Sequence, residues 1–430
     1  MCMKVAELVP IAKKQLKYAP ENINHAEILK VISQLTELIK SDLPSKRSGY
    51  SYGALLYVEL YAQLTGLSTK EAAQNLQALW IGNERLFQSF QKSIFSNGKK
   101  RRAIPDQPTL TRFMNKIVQK GLSQNLSNII LWGQFLYTLK MKFTKDDLTL
   151  IADYNDEPCR RNPNDPYCFG TKEGQTVHRT LVFSIISGDL HIVVAAFKIR
   201  KREHKLPYFE RVINRFKADN IDIKYFLVDR GFYRKDLLEY LKNCKISVIT
   251  PGRQCKATKQ KIINWLTGKG NRSGIMFLNL KYVRGVGWKC LTMNFILFGK
   301  GNHQLSQVKR DYQSGLISLE TAMSRVFPLL FIFGNKNGIT KVNGNEKYIR
   351  DLYRKRWDIE IAFRTKHLIG IGNWLTNRDS RLLRFGLKCF IYNQWQISQY
   401  VQSRSNSAAN SITLKEFCGR LTVNRGFWAL

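Results

Sequence analysis

Apolar residues at positions 52–64 recur at helical spacing and stop at Thr65-Gly66. Ser68-Thr69-Lys70-Glu71 then reads as a capping box that opens a second helix. Pro105 and Pro108 interrupt the pattern before Thr109 begins a further helix. Residues 1–145 are therefore expected to form an all-α N-terminal region. The short turn at Gly66 fits a helix-turn-helix, and fits any antiparallel helix pair equally well.

Near residue 148 the period changes. Residues 148–155, 180–187 and 191–198 read as strands, with Gly188-Asp189 supplying a two-residue hairpin turn between the last two. A helix is expected at 207–218, an apolar strand at 223–229, a helix at 235–243 and a short strand at 246–249. The order β-β-β-α-β-α-β predicts an α/β fold with a mixed sheet that begins in a hairpin. Strand-like runs follow at 274–283 and 290–298. A helix is expected from about residue 346 continuing past Glu360, and a last one at 380–400. The chain shows no internal repeat and no low-complexity tract.

Composition narrows the class. Of 430 residues, 44% are apolar and 12% aromatic, which excludes a disordered basic tail. The net charge of +37 is self-repelling and calls for a polyanionic partner. No apolar run approaches the roughly 18 residues of a membrane span. Lys4, Glu7, Lys13 and Lys14 interrupt any leader-like segment, so a cytoplasmic protein is expected. The charge is uneven: residues 240–310 hold fourteen Lys or Arg and no acid, together with Trp265, Tyr282 and Trp288. Cations interleaved with aromatics suit a nucleic-acid surface, although the aromatics could equally form a core of their own. Lys99-Lys100-Arg101-Arg102 reads as an exposed basic linker. Cys159 and Cys168 lie nine apart in a polar loop without a close His partner, so reduced thiols are the simpler expectation and a zinc site the alternative.

Three acids carry the candidate chemistry. Asp153 falls on the first strand, an uncommon place for Asp, with Asp156 and Glu157 close enough to be mistaken for it. Asp229 ends an apolar strand, where ligands gather in such sheets, although it could instead cap the following turn. Tyr353, Arg356 and Glu360 share one stripe of a helix, within roughly 60° of one another. Carboxylates converging from these three places would hold two Mg²⁺ ions for in-line phosphoryl transfer.

Together Asp153, the Val-Asp229-Arg230-Gly-Phe-Tyr run and the Tyr353/Arg356/Glu360 stripe resemble the DDE transposases of insertion sequences, in the superfamily with the signature Tyr-x2-Arg-x3-Glu-x6-Lys. The resemblance covers about residues 145–400. It implies an RNase H-like catalytic domain in two parts, 146–250 and 346–402, separated by a basic β-rich insertion at 251–345 and followed by a tail at 403–430. It further implies cut-and-paste transposition with Mg²⁺ (or Mn²⁺) held by Asp153, Asp229 and Glu360. Tyr353, Arg356, Arg230 and an insertion aromatic, Trp288 or Trp265, would contact DNA. The signature lysine is replaced by His367, next to Lys366, and either side chain could take its role. Implied partners are the element ends and target DNA, bridged by a homodimer in a prokaryotic, nucleoid-associated setting. A domesticated DNA-binding protein and an RNase H-like nuclease are the competing expectations.

Overall fold

The computed structural model describes residues 50, 52–80, 104–140, 148–159, 165–171, 174–252, 256–283, 287–334, 344–357, 378–405, 413–414 and 417–418. In chain order the elements are α1 (Tyr52–Thr65), α2 (Thr69–Trp80), α3 (Gln107–Gln119), α4 (Ser123–Lys140), β1 (Thr149–Pro158), β2 (Cys168–Gly170), β3 (Thr176–Ser187) and β4 (Leu190–Lys198). They continue with α5 (Leu206–Ala218), β5 (Tyr225–Val228), α6 (Lys235–Asn243), β6 (Ser247–Pro251), α7 (Lys256–Leu266), β7 (Ser273–Val283) and β8 (Gly287–Gly299). Last come α8 (Leu305–Gln313), α9 (Leu319–Ser324), β9 (Val326–Ile332), α10 (Glu346–Arg354) and α11 (Arg378–Ser405). The mixed α/β architecture expected from the sequence is present.

The chain folds into two compact units, each discontinuous in sequence. One comprises Met1–Lys145, Tyr154–Glu203 and Glu360–Leu430; the other comprises Asp146–Asp153 and His204–Ile359. Strand β1 contributes its first half to the second unit and its remainder to the first.

In the first unit, local signals work as the sequence implies. The Ser68 N–H donates to Glu71 Oε2 at 2.9 Å and the Glu71 N–H to Ser68 Oγ at 3.3 Å, closing the capping box. Asp106 caps α3 by accepting from the Thr109 N–H at 3.1 Å. Gly188 has φ +62°, and Ser187 pairs with Leu190 across the β3–β4 hairpin. The register slips at Phe183/Ser184, leaving a bulge in β4.

Long-range chemistry then covers the exposed backbone edge of β4. Asn393 accepts from the Val193 N–H at 2.9 Å and donates to the Val193 carbonyl at 2.8 Å. Asn128 accepts from the Ala196 N–H at 2.7 Å, and Gln124 from the Lys198 N–H at 3.3 Å. Amides from α4 and α11 thus do what a further strand would do, and the edge is not left to recruit another chain. The two helices approach closely: a Cβ on Gly386 would lie 2.6 Å from the Ser127 Cβ. Glu59, 2% exposed in α1, is met by Gln63, Thr69 and Arg384, so this buried acid is a structural tie.

The lack of a histidine near Cys168 along the sequence does not carry over to the fold, for a topological reason. Cys168 does have a histidine beside it. The antiparallel β2–β3 register sets Cys168 opposite His178, ten residues away in sequence.

In the second unit β1, β5 and β6 run parallel, and β9 joins β6 antiparallel. The β7–β8 hairpin extends this sheet through β8 and β9. The acid-free stretch therefore contributes strands to a common sheet, along with α7, a helix not read from the sequence. Trp265 of α7 is 6% exposed, and its ring carries Lys309 at 5.5 Å. Lys261 stacks on Phe295 and Arg272 on Phe298, both buried rings. For these aromatics, forming a core wins over facing a ligand. On β7, Ile275 and Phe277 share the opposite face and stand 55% and 64% exposed.

Candidate active site

Strand β5 is four residues long and buried throughout, so its path ends abruptly where the polar Asp229 begins. Its register with β1 runs from Thr149↔Tyr225 to Ala152↔Val228. The next residue on each strand is an acid. Asp153, midway along β1, and Asp229, just past the carboxyl end of β5, therefore sit side by side where the β1–β5 pairing ends, on backbones about 4.8 Å apart. Two carboxylates so placed repel each other and attract cations.

The turn that follows fixes Asp229. The Phe232 N–H donates to the Asp229 carbonyl at 2.9 Å, forming a single 3₁₀ turn over Arg230–Phe232. Phe232 is 1% exposed and packs on Phe209, 5.5 Å between ring centroids, which in turn packs on Phe226 at 5.5 Å. Although Asp229 occupies the N-cap position, its side chain makes no capping hydrogen bond. The carboxylate is not spent on the turn. Arg230 is exposed at the rim.

Helix α10 brings the third element. Ile349, Leu352 and Tyr353 are its buried face, and Tyr353 packs on Phe327 of β9 at 6.2 Å. The helix expected from about residue 346 past Glu360 is broken by a turn at Lys355 and Arg356, after which Trp357 is helical again; Glu360 itself lies outside the described residues. α10 closes at Arg354, and i→i+3 bonds from Lys355 to Leu352 and from Arg356 to Tyr353 tighten the end. That turn sends Arg356 to Asp153, where Nη1 donates to Oδ2 at 2.6 Å; the side chains are 8% and 14% exposed. The same guanidinium lies over the Tyr353 ring at 5.8 Å. Burial raises the Tyr353 hydroxyl pKa well above its ordinary value; nearby Asp229 and Asp153 add to this and Arg356 opposes it. The phenol stays a hydrogen-bond donor across the physiological range.

Of the residues singled out in the sequence, Asp153, Asp229, Tyr353 and Arg356 are brought together. Glu360, Lys366 and His367 lie outside the described residues. Trp288 stands on β8 opposite Tyr282, near the hairpin tip. Asp156 is separated from Asp153 by its own partner: Arg179 grips both its carboxylate oxygens, at 2.7 and 2.6 Å. Trp357, next to Arg356, is 59% exposed.

Comparison with known proteins follows the same line. Residues 158–393 match the family model described as the transposase DDE domain, a stretch that contains Asp229, Tyr353, Arg356 and Glu360 and begins just after Asp153. No curated protein matches the chain. Among solved structures, the piggyBac transposase synaptic complex with hairpin DNA aligns with a TM-score of 0.46 at 12% identity, covering 96% of this chain and 79% of that one. The Drosophila P element transposase strand transfer complex aligns with a TM-score of 0.20 at 10% identity, covering 92% and 94%.

Proposed function

From a chain that belongs to the transposase DDE domain family, we infer a DNA transposase of an insertion sequence that binds terminal inverted repeats and catalyses metal-dependent strand cleavage and strand transfer. The observation that carries this reading is the β1–β5 register, which sets Asp153 beside Asp229. Hard carboxylate oxygens suit Mg²⁺, or Mn²⁺ in its place, and Glu360 supplies the third. Bound to these acids, the ions would activate a water or 3′-hydroxyl and stabilise the departing oxygen of an in-line displacement.

The chain's own residues divide the remaining work. Arg356 holds the Asp153 carboxylate in position and, with further N–H donors on the same fork, reaches a phosphate of the element end. The protonated Tyr353 hydroxyl donates to that phosphate. Arg230, exposed at the rim, neutralises the adjoining backbone. Lys366 or His367 takes the place of the signature lysine, and Trp288 stacks on an unpaired base. The +37 charge supplies non-specific affinity and steers DNA on. Cutting two ends in one complex makes the working form a homodimer on DNA. Among the described residues no helix is long and apolar enough to cross a membrane. The expected setting is the prokaryotic nucleoid.

The test is nicking and joining of the element's own inverted-repeat ends with Mg²⁺ supplied. Asp153→Asn, Asp229→Asn and Glu360→Gln should each abolish cleavage while retaining DNA binding. Cleavage unaffected by any one of them removes that residue from the site. Binding without cleavage in the wild type, under Mg²⁺ and Mn²⁺ alike, would instead support a domesticated DNA-binding protein. Cleavage without joining of a supplied 3′-hydroxyl end would support a nuclease.

A further inference from the structure

We propose that Cys159, Cys168 and His178 supply the ligands of a zinc site at the root of the β2–β3 hairpin, with Asp165 beside Cys168 and His178, independent of the carboxylate pair.

The elements converge for reasons unrelated to metal. Cys159 follows the end of β1, and its N–H donates to the Thr176 carbonyl at 2.9 Å, holding it against β3. Cys168 and His178 face each other across the β2–β3 ladder. Asp165 sits in a tight turn: its carbonyl accepts from the Cys168 N–H at 3.1 Å, and its Oδ1 from the Tyr167 N–H at 2.9 Å. With Oδ1 engaged by the backbone, Oδ2 lies against His178 Nε2 and Cys168 Sγ. A carboxylate oriented in this way by a backbone N–H is the support that metal ligands characteristically carry.

The spacings are those of ligands around one ion. Cys159 Sγ and Cys168 Sγ are 3.4 Å apart, far beyond a disulfide bond of about 2.05 Å. Cys168 Sγ lies 3.4 Å from His178 Nε2, His178 Nε2 lies 3.3 Å from Asp165 Oδ2, and Cys168 Sγ lies 3.7 Å from that oxygen. With zinc bonds of about 2.3 Å to sulfur and 2.0–2.1 Å to nitrogen or oxygen, a tetrahedron has edges of about 3.8 Å for S···S, 3.6 Å for S···N or S···O and 3.3 Å for N···O. The Cys159–Cys168 and Cys168–His178 separations lie within about 0.4 Å of their edges, and Asp165 Oδ2 lies against His178 Nε2 and Cys168 Sγ without joining the set around Cys159. The ligand atoms of Cys159, Cys168 and His178 all fall within 4.8 Å of one another. Two thiolates and an imidazole select a borderline-soft cation over Mg²⁺. With Cys159 just past β1 and Cys168 and His178 on the β2–β3 ladder, the role is structural: the ion ties the end of β1 to the hairpin.

The decisive measurement is metal content of the full-length protein after dialysis. About one zinc per chain is expected, falling to near zero in Cys168→Ser and His178→Ala, while a Cys290→Ser control, whose thiol is exposed, keeps it. Cobalt titration of the metal-stripped wild type provides a readout that survives poor folding of the variants. Visible d–d bands with sulfur-to-cobalt charge transfer should appear at one equivalent and vanish on adding zinc. A wild type that retains no zinc and gives no thiolate–cobalt bands overturns the site. So does a disulfide found between Cys159 and Cys168, or a zinc content indifferent to the ligand substitutions.

Discussion

Changing Asp153 and Asp229 to asparagine should have opposite consequences for stability. Asp153→Asn removes the charge that faces Arg356 at 2.6 Å, where the guanidinium side chain is only 8% exposed. Breaking a buried pair from one side costs about 3–5 kcal/mol, because the remaining ion is left poorly compensated. The asparagine oxygen can still accept one hydrogen bond, which places the expected loss near about 3 kcal/mol. For a unit of this size, about 2–4 °C of Tm accompanies each kcal/mol, so a fall of about 6–12 °C is expected. Among the described residues no cation pairs with the Asp229 side chain, and its neighbour is another acid. Asp229→Asn relieves that repulsion and should leave Tm within about 2 °C of wild type or raise it, a surface-like change within about 0.5 kcal/mol. Arg356→Met combined with Asp153→Asn should melt higher than the sum of the single losses predicts, because neither ion is then stranded. Thermal melts of five proteins (wild type, the three single variants Asp153→Asn, Asp229→Asn and Arg356→Met, and the double variant) by tryptophan fluorescence, without added DNA or divalent metal, make the comparison. Equal melting of the two asparagine variants, or strict additivity in the double variant, would refute the reasoning. Either result would mean that the 2.6 Å pair contributes nothing to the fold.

Three further outcomes follow from other parts of the molecule. Tyr353→Phe keeps the packing on Phe327 and removes only the hydroxyl; affinity for an element-end duplex should drop about threefold to tenfold, the worth of one hydrogen bond. Because burial keeps the phenol protonated, the pH dependence of binding between pH 6 and 9 should be unchanged by that substitution. Asn393→Ala deletes the two bonds to Val193 and a third to Gln134 Oε1 at 3.0 Å at a site with 0% exposure; urea denaturation should register a loss of about 3 kcal/mol or more, and light scattering should rise as the β4 edge opens. Ser68→Ala should cost about 1 kcal/mol at neutral pH. The Glu71 carboxylate is held below its ordinary pKa by the Ser68 hydroxyl and N–H, so its contribution is complete above the unfolded value and is lost as pH falls through the folded one; the difference between Ser68→Ala and wild type should shrink in acid.

What the sequence by itself determined were the features governed by neighbours a few residues apart. The capping box at Ser68 and the Gly188-Asp189 turn depend on local geometry, and both form as read. The apolar run ending in Asp229 and the polar residue on β1 were each legible singly, because period and burial mark a strand wherever it lies. Other features were decided only by the tertiary structure, because they depend on register and on contacts distant in sequence. The adjacency of Asp153 and Asp229 follows from the pairing of Ala152 with Val228, which spacing along the chain does not encode. The expected helix through Arg356 gave way to a turn in which that side chain reaches a carboxylate 203 residues away. Whether Trp265 faces a core or a ligand was settled by packing. His178 was invisible as a partner of Cys168, since ten residues of chain become one rung of a ladder only when β2 and β3 pair.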